Sequence, residues 1–556
     1  MKERNKIVIT FSDGTKGKYP SGISLLDLSK EKQHLYKTQI FAAKVNMDLK
    51  ELLYRLDMDA HVDFLDLTSI DGIRIYQRSL IFVLIKATRD LFPNRQLSVE
   101  HSLGKGIYCE IHGEKALTRN EVEKIKHRMR EIIELNLPFQ KHRVKLKEAM
   151  GIFNGNREYG KVNLLRYRKE DLINMYRLED YNNYFYGFMA PSTGLLKEFD
   201  LKFYLPGLIL LAPNIESPDK IPVFKEQEKL FSIFRKYSQW AEILEVENVA
   251  VLNESVEAEK IDELIRVAEA NHEKEISKIA DVIYENIENK RIILIAGPSS
   301  SGKTTFANRL STHLRINGLK PIAISLDDYF IDRDSTPLDE DGDYDFESID
   351  AIDVELFNDQ LISLIQGEEV HLPRYNFITG KREYIGRIIK LTKNEPIIIE
   401  GIHGLNERLT REIPQENKYK IYISALTQLN VDQHNRIPTT DTRLIRRMVR
   451  DNKYRNNDAL KTLKTWASVR RGEEKNIFPF QEEADIMFNS ALFYELGVLK
   501  KYAEPLLREI PEDNQYFSEA KRLLKFLKYF IEINDESSIL QNSILREFIG
   551  GNIYHP

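Results

Sequence analysis

Eight consecutive residues, Gly297, Pro298, Ser299, Ser300, Ser301, Gly302, Lys303 and Thr304, constrain this chain more than any other stretch. They fit G-x-x-x-x-G-K-[ST] and stand between an apolar run, Arg291–Ala296, and a helix-patterned stretch, Thr304–Ile316. A strand that ends in such a loop, with a helix beginning there, aims successive backbone N–H groups at phosphate oxygens. Gly297 and Gly302 let the backbone wrap. Lys303 is expected to reach the β- and γ-phosphates, and the Thr304 hydroxyl to ligate Mg²⁺. Pro298, the three serines and Thr305 complete the expected ATP-binding set. A Gly/Ser-rich loop that fits by chance is the alternative, and the flanking strand and helix argue against it.

Around this loop, apolar runs alternate with helical patterns: Arg291–Ala296, Pro321–Leu326, Pro396–Glu400, Lys420–Ser424 and Ala484–Asn489. Such alternation predicts a parallel sheet covered by helices on both faces, with ligands at the carboxyl ends of its strands. Glu400 ends one apolar run, and burying that acid without a cation is costly, so it is the expected second metal ligand. A strand-end carboxylate facing water is the alternative. Asp327 and Asp328 come at the end of a neighbouring strand; Asp327 is the expected general base and Asp328 the second choice. Solvated turn acids would read the same. Arg443, Arg446, Arg447 and Arg450 fall on a predicted helix, which reads as a lid closing over the transferring phosphoryl group. A solvated basic helix would carry the same pattern.

At 556 residues the chain calls for two to four domains. A net charge of −5 gives no overall basic field toward nucleic acid or an acidic membrane, though a local basic stripe remains open. Cys109 is the single cysteine, which excludes an intrachain disulfide and a cysteine-based zinc cluster. No apolar run is long enough to span a bilayer and no secretory signal is evident, so a cytoplasmic protein is expected. Residues 1–66 read as a β-grasp-like unit: a strand from Ile7, turns at Asp13-Gly14 and Pro20–Gly22, and a short helix from Ser24. Residues 67–223 read as a mixed α/β region whose long helix, from about Ile73, stops before Pro93. Residues 224–289 read as a charged helical connector with one solvated face, and 290–556 as the phosphate-binding domain.

The motifs of the last domain, with Ser325-x-Asp327, Tyr375-x-Phe377, Ile399-Glu400-Gly401 and Asp441-x-Arg443-x-x-Arg446-Arg447-x-x-Arg450, resemble the uridine kinase/phosphoribulokinase family over about 290–500. The resemblance implies ATP and Mg²⁺, Asp327 as base, Glu400 near the metal, and Arg447 and Arg450 as lid or acceptor contacts. It also implies that Glu347, Tyr375 and Phe377 flank the acceptor. Four positions depart from the family: Glu347 stands where it has an Asp that binds the ribose hydroxyls, and Gly380, Asn457 and Thr465 stand where it places a base-contacting histidine, a lid arginine and a glutamine. A nucleoside acceptor is thus implied by family, while the groups that read its base are absent.

The N-terminal segments Asp13–Thr15, Tyr19–Gly22 and Ala43–Asn46 resemble the TGS domain of threonyl-tRNA synthetases, and residues 67–223 resemble the second additional, editing domain of those enzymes. Arg78, Phe82, Phe185 and Met189 stand where that family has its His-x-x-x-His and Cys-x-x-x-His residues. Apolar groups at three of these four positions neither bind zinc nor move protons. The expected fold is therefore multidomain α/β: a TGS-like β-grasp unit, an α+β editing-like unit without its hydrolytic residues, and a P-loop kinase. The leading functional expectation is phosphorylation of a nucleoside or other small hydroxyl-bearing metabolite, in a chain open to homo-oligomerisation. The alternative is a tRNA- or RNA-binding regulator with a nucleotide-dependent switch, its aromatics free to stack on bases or to fill a core. A GTPase lacks its Asn-Lys-x-Asp motif here, and the P-loop takes the place of a synthetase's catalytic domain.

Overall fold

A computed structural model describes residues 6–554 except 341, 377, 393, 394 and 428. Its C-terminal sheet has five strands in the order Ile322–Ser325, Ile397–Glu400, Ile292–Ala296, Lys418–Ser424, Ile486–Asn489. All neighbours pair parallel. Each strand lies within two residues of the expected bounds, because β-branched runs of this length have one way to bury both faces. Alternate side chains feed two cores. Ile293, Ile295, Ile398, Ile421 and Ile423 pack with Phe306, Leu310 and Leu314 of the Lys303–Ile316 helix. Ile292, Leu294, Ile324, Ile397 and Ile399 face the opposite way, onto Phe357 and Leu361 of the Val354–Ile365 helix.

The helix Ile261–Glu285 keeps the solvated charged face its sequence suggests, with Glu263, Arg266, Lys274, Lys278 and Asp281 exposed, while its other face packs on the C-terminal sheet. Ile265, Ala268, Ile276, Ile279 and Ile283 enter the core of the kinase-like sheet. Two of its charged or titratable residues, Glu269 and His272, are buried as well. Glu269 accepts from the hydroxyls of Tyr494 and Ser543, and Glu273 pairs with the buried Arg309 and with His313. The charge pattern could not distinguish solvent from an opposing helix that supplies its own partners.

In the N-terminal half, five strands order as Lys16–Pro20, Lys6–Phe11, Ala60–Asp66, Ile40–Val45, Asp48–Glu51, with the first and last segments of the unit paired in parallel. The helix Leu25–Lys32 starts where Ser24 caps it. The helix Ile70–Leu91 is capped by Ser69, earlier than the apolar pattern alone indicates, and ends before Pro93. It packs beside Arg119–Glu134 and a four-stranded sheet made of Asp200–Tyr204, Gly207–Leu211, Gly106–His112 and Gln96–Leu103. Among the described residues no helix is long and apolar enough to cross a membrane.

The two halves meet through an apolar cluster that joins Tyr108, Ile209 and Leu211 to Leu405, Tyr422 and Met487, and through charged and polar groups. Arg74 of the Ile70–Leu91 helix binds Glu519 at 2.8 and 3.1 Å, and Glu519 also binds Arg522. Arg522 in turn forks onto Asp441 at 2.7 and 2.8 Å, in the first turn of the Thr439–Arg455 helix. A second seam buries Glu158, Lys161 and Asn183 of the N-terminal half against Asp432 and His434 of the loop before that helix.

Candidate active site

The P-loop joins the Ile292–Ala296 strand to the Lys303–Ile316 helix, and Gly302 turns the corner at φ +85°, where a Cβ would be strained. Lys303 Nζ donates to the carbonyls of Gly297 at 3.0 Å and Pro298 at 3.3 Å, so its charge lies inside the loop. The Ser299 N–H is held at 3.0 Å by Glu473.

Two of the four arginines expected in a lid do something else. Arg443 is 1% and Arg446 0% exposed, which leaves neither able to swing over a ligand. Arg443 forks onto Glu473, lies over the Trp466 ring and donates to the Ser299 carbonyl. Arg446 binds Glu495 at 2.7 Å and donates to the carbonyl of Ser300. Both therefore brace the P-loop from beneath. Arg447 and Arg450 lie higher on the helix: Arg447 donates to the Ser299 hydroxyl at 2.7 Å, and both reach Asp451.

Glu400, at the end of its strand, accepts from the Ser325 hydroxyl at 3.0 Å. Burial pushes its carboxyl up to about 7; the nearby Asp327 adds to the effect, while Lys303 and Ser325 oppose it. Asp327 is exposed to the cleft, whereas Asp328 turns away and accepts from the Tyr375 N–H at 3.4 Å. The geometry separates the two candidates for base that the sequence leaves side by side. Glu347 closes the opposite wall. Its Oε2 is buried without a hydrogen-bond partner, and burial pushes the group up to about 7, against the pull of Arg447 and Lys303. Glu347 can sit there because residue 472 is glycine: a Cβ would lie 2.2 Å from the Glu347 Cβ.

Tyr375 is buried against Phe330. Phe377, its expected companion, lies outside the described residues. At Gly380 a Cβ would meet Arg333 at 2.9 Å, and the Arg333 N–H donates to the Gly380 carbonyl. Arg333 also hydrogen-bonds Tyr375, which makes it a cation on the acceptor side that no sequence motif announced. Thr465 bonds back to its own helix, and the Asn457 N–H caps the Asp451 carbonyl. No motif pointed to Glu473 either; its partners are contiguous in space and scattered in sequence.

Thr304 and Glu400 are the oxygen donors expected to meet a hard cation. Among the described residues no three His, Cys, Asp or Glu side chains gather to hold a metal by themselves.

Where the synthetase resemblance implies a hydrolytic centre, the structure has a packed core. Phe82 lies 5.7 Å from Phe139 and 5.4 Å from Phe185, ring to ring, and Met189 is 1% exposed beside Ser79. Arg78 donates to the Phe188 carbonyl at 2.8 Å.

Residues 292–493 match the phosphoribulokinase/uridine kinase family. Over that span the C-terminal half belongs to this family. The N-terminal half matches threonine–tRNA ligases, at 30% identity over 196 residues for that of Desulforamulus reducens and 25% over 195 for that of Prochlorococcus marinus. Each match takes in 35% of this chain and 31% of the relative, so the chain spans about a third of those enzymes' length. Solved structures similar to the chain include a "possible uridine kinase" of Bacillus stearothermophilus, with 23% identity, 39% of this chain and 100% of that one covered, and a TM-score of 0.26. Another is a provisionally named fructose transport system kinase of Silicibacter sp. TM1040, with 16% identity, 38% and 98% covered, and a TM-score of 0.29.

Proposed function

We propose that the chain transfers the γ-phosphate of ATP to a hydroxyl of a nucleoside or similarly sized polyol. The observation that carries this reading is the facing pair of carboxylates beyond the P-loop: Glu400 beside Ser325 on the donor side and the unpartnered Glu347 Oε2 on the acceptor side, with Asp327 open between them. A buried carboxylate oxygen without a donor is costly unless a ligand hydroxyl completes it.

Backbone N–H groups of the loop and Lys303 hold the polyphosphate. Thr304 and Glu400 would hold Mg²⁺, which when bound offsets charge on the β- and γ-oxygens. Glu347 accepts a hydrogen bond from one acceptor hydroxyl and so orients its neighbour toward the γ-phosphorus. That neighbour's oxygen bonds to phosphorus, the bond to the β–γ bridging oxygen breaks, ADP keeps the electron pair, and Asp327 takes the proton. Arg447 and Arg450 lie within reach of the charge that spreads over the transferring group. Residues 1–66 and 67–223, read as TGS-like and editing-like units, serve this kinase as a brace and not as a hydrolase.

The test is ADP release from ATP·Mg²⁺ across a panel of nucleosides and sugars, read against a blank without acceptor. Turnover of none of them sinks the reading. A second reading, tRNA recognition through the N-terminal half, is supported by its similarity to threonine–tRNA ligases. A salt-dependent gel shift with bulk tRNA distinguishes it, and no shift at low salt counts against it.

A further inference from the structure

The end of the chain lies on the P-loop. Ile544 packs so closely that a Cβ on Gly302 would stand 2.4 Å from its Cγ2. Glu547 accepts from the Thr305 N–H at 3.1 Å and from the Thr305 hydroxyl at 2.8 Å. Asn552 Nδ2 donates to the same hydroxyl at 2.9 Å, and Lys453 of the arginine helix donates to the Ile549 carbonyl at 2.7 Å. Thr305 is fully buried beneath these contacts.

In the first turn of a helix the N–H groups of successive residues point the same way and converge on one anion. Among the described residues the N–H groups of Lys303 and Thr304 meet no acceptor, while the next donor of that turn, on Thr305, is taken by a carboxylate of the chain itself. A nucleotide lays its α- and β-phosphates along these donors. Glu547 presents the same acceptor chemistry as a phosphate oxygen, and one N–H cannot serve both at full strength.

Resting on the kinase reading, we propose that residues 543–552 form a strap that competes with the nucleotide: Glu547 holds the phosphate place on Thr305, and ATP seats only as the strap gives up that contact. Through Lys453, release of the strap is felt by the helix that carries Arg447 and Arg450. The strap therefore ties occupation of the donor site to the position of the arginines that serve transfer.

The experiment uses the full chain and ADP as probe. Hydrogen exchange across 543–552 is measured with and without ADP, and ADP affinity is titrated for the wild type, Glu547→Gln and Asn552→Ala, with melting curves to confirm folding. The strap predicts faster exchange in the segment on ADP binding. It also predicts affinity about tenfold tighter in Glu547→Gln, the size of one charge-assisted hydrogen bond. It predicts a smaller gain in Asn552→Ala, which loosens the strap without removing its charge. ADP binding with unchanged or greater protection of the segment overturns the proposal. So does equal or weaker ADP binding by folded Glu547→Gln. If ADP binds none of the three proteins, the kinase reading falls with it, whereas tight binding indifferent to Glu547 sinks the strap alone.

Discussion

Glu347 and Glu400 each take up their proton well above the ordinary glutamate value, at about 7 against 4.5. Between those two values the folded chain keeps protons that the unfolded chain has released, so stability falls as pH rises through that window. Below it, the full stabilisation is present. The contribution of these two carboxyls should accordingly be smaller at pH 7.5 than at pH 5.5, against the opposite contribution of the buried His101, His272, His403 and His434, whose imidazoles burial holds below the ordinary value. Glu347→Gln should remove part of that slope and stabilise the protein at pH 7.5 by about 1–2 kcal/mol, a figure reduced for the partial exposure of the residue. Differential scanning calorimetry across pH checks both signs. Asp327 acts on a different quantity. Asp327→Asn should lower kcat by about 10²–10⁴ while ADP affinity, measured by calorimetric titration, stays within a few-fold of wild type. Loss of nucleotide binding in that variant would reassign Asp327 to the donor side.

At the scale of elements, the Thr439–Arg455 helix is a brace as much as a lid. Arg443→Ala leaves the buried Glu473 with Arg470 as its one remaining cation and should cost about 2–3 kcal/mol, read in a urea melt. Arg443→Met combined with Glu473→Gln should recover part of that loss, because no bare charge remains. Gly472→Ala drives a Cβ into Glu347 and should raise KM for the acceptor more than KM for ATP. The donor half of the site was legible because its parts are local: strand, glycine turn, lysine and helix come one after another in the chain. Glu400 showed itself as an acid ending an apolar run. The acceptor half was not legible. The unpartnered Oε2 of Glu347 depends on a glycine more than a hundred residues away, and Arg333 occupies the space at Gly380 through a contact no spacing encodes.

At the scale of the molecule, the helix Phe517–Leu527 belongs to both halves. Ser518 bonds Met47 and Leu49, Lys521 bonds Asp48, and the chain Arg74–Glu519–Arg522–Asp441 runs from the N-terminal half to the start of the arginine helix. Residues 224–556 expressed alone should therefore melt lower than the full chain and elute from a sizing column as a broader species. Glu519 is strongly favoured as a carboxylate by its two arginines, so Glu519→Gln should lower the melting temperature of the full chain more than that of the 224–556 fragment, where Arg522 alone remains beside it. A fragment as stable as the whole would show the N-terminal half to be a passenger.

The eight residues of the P-loop and the five apolar runs around it determined a parallel sheet with a phosphate site at the carboxyl ends of its strands, because each depends on near neighbours and on one burial pattern. The same local logic showed that the synthetase-like half lacks its hydrolytic residues. What tertiary structure alone decided is which charges face a ligand and which face each other. Arg443 and Arg447 read alike in sequence, four residues apart on one helix, yet one is paired and buried with Glu473 and the other borders the cleft. Glu547 reads as an ordinary acid near the chain's end, and only folding brings it to Thr305. Charge pairing is a matter of distance in space, and sequence fixes that distance only for neighbours.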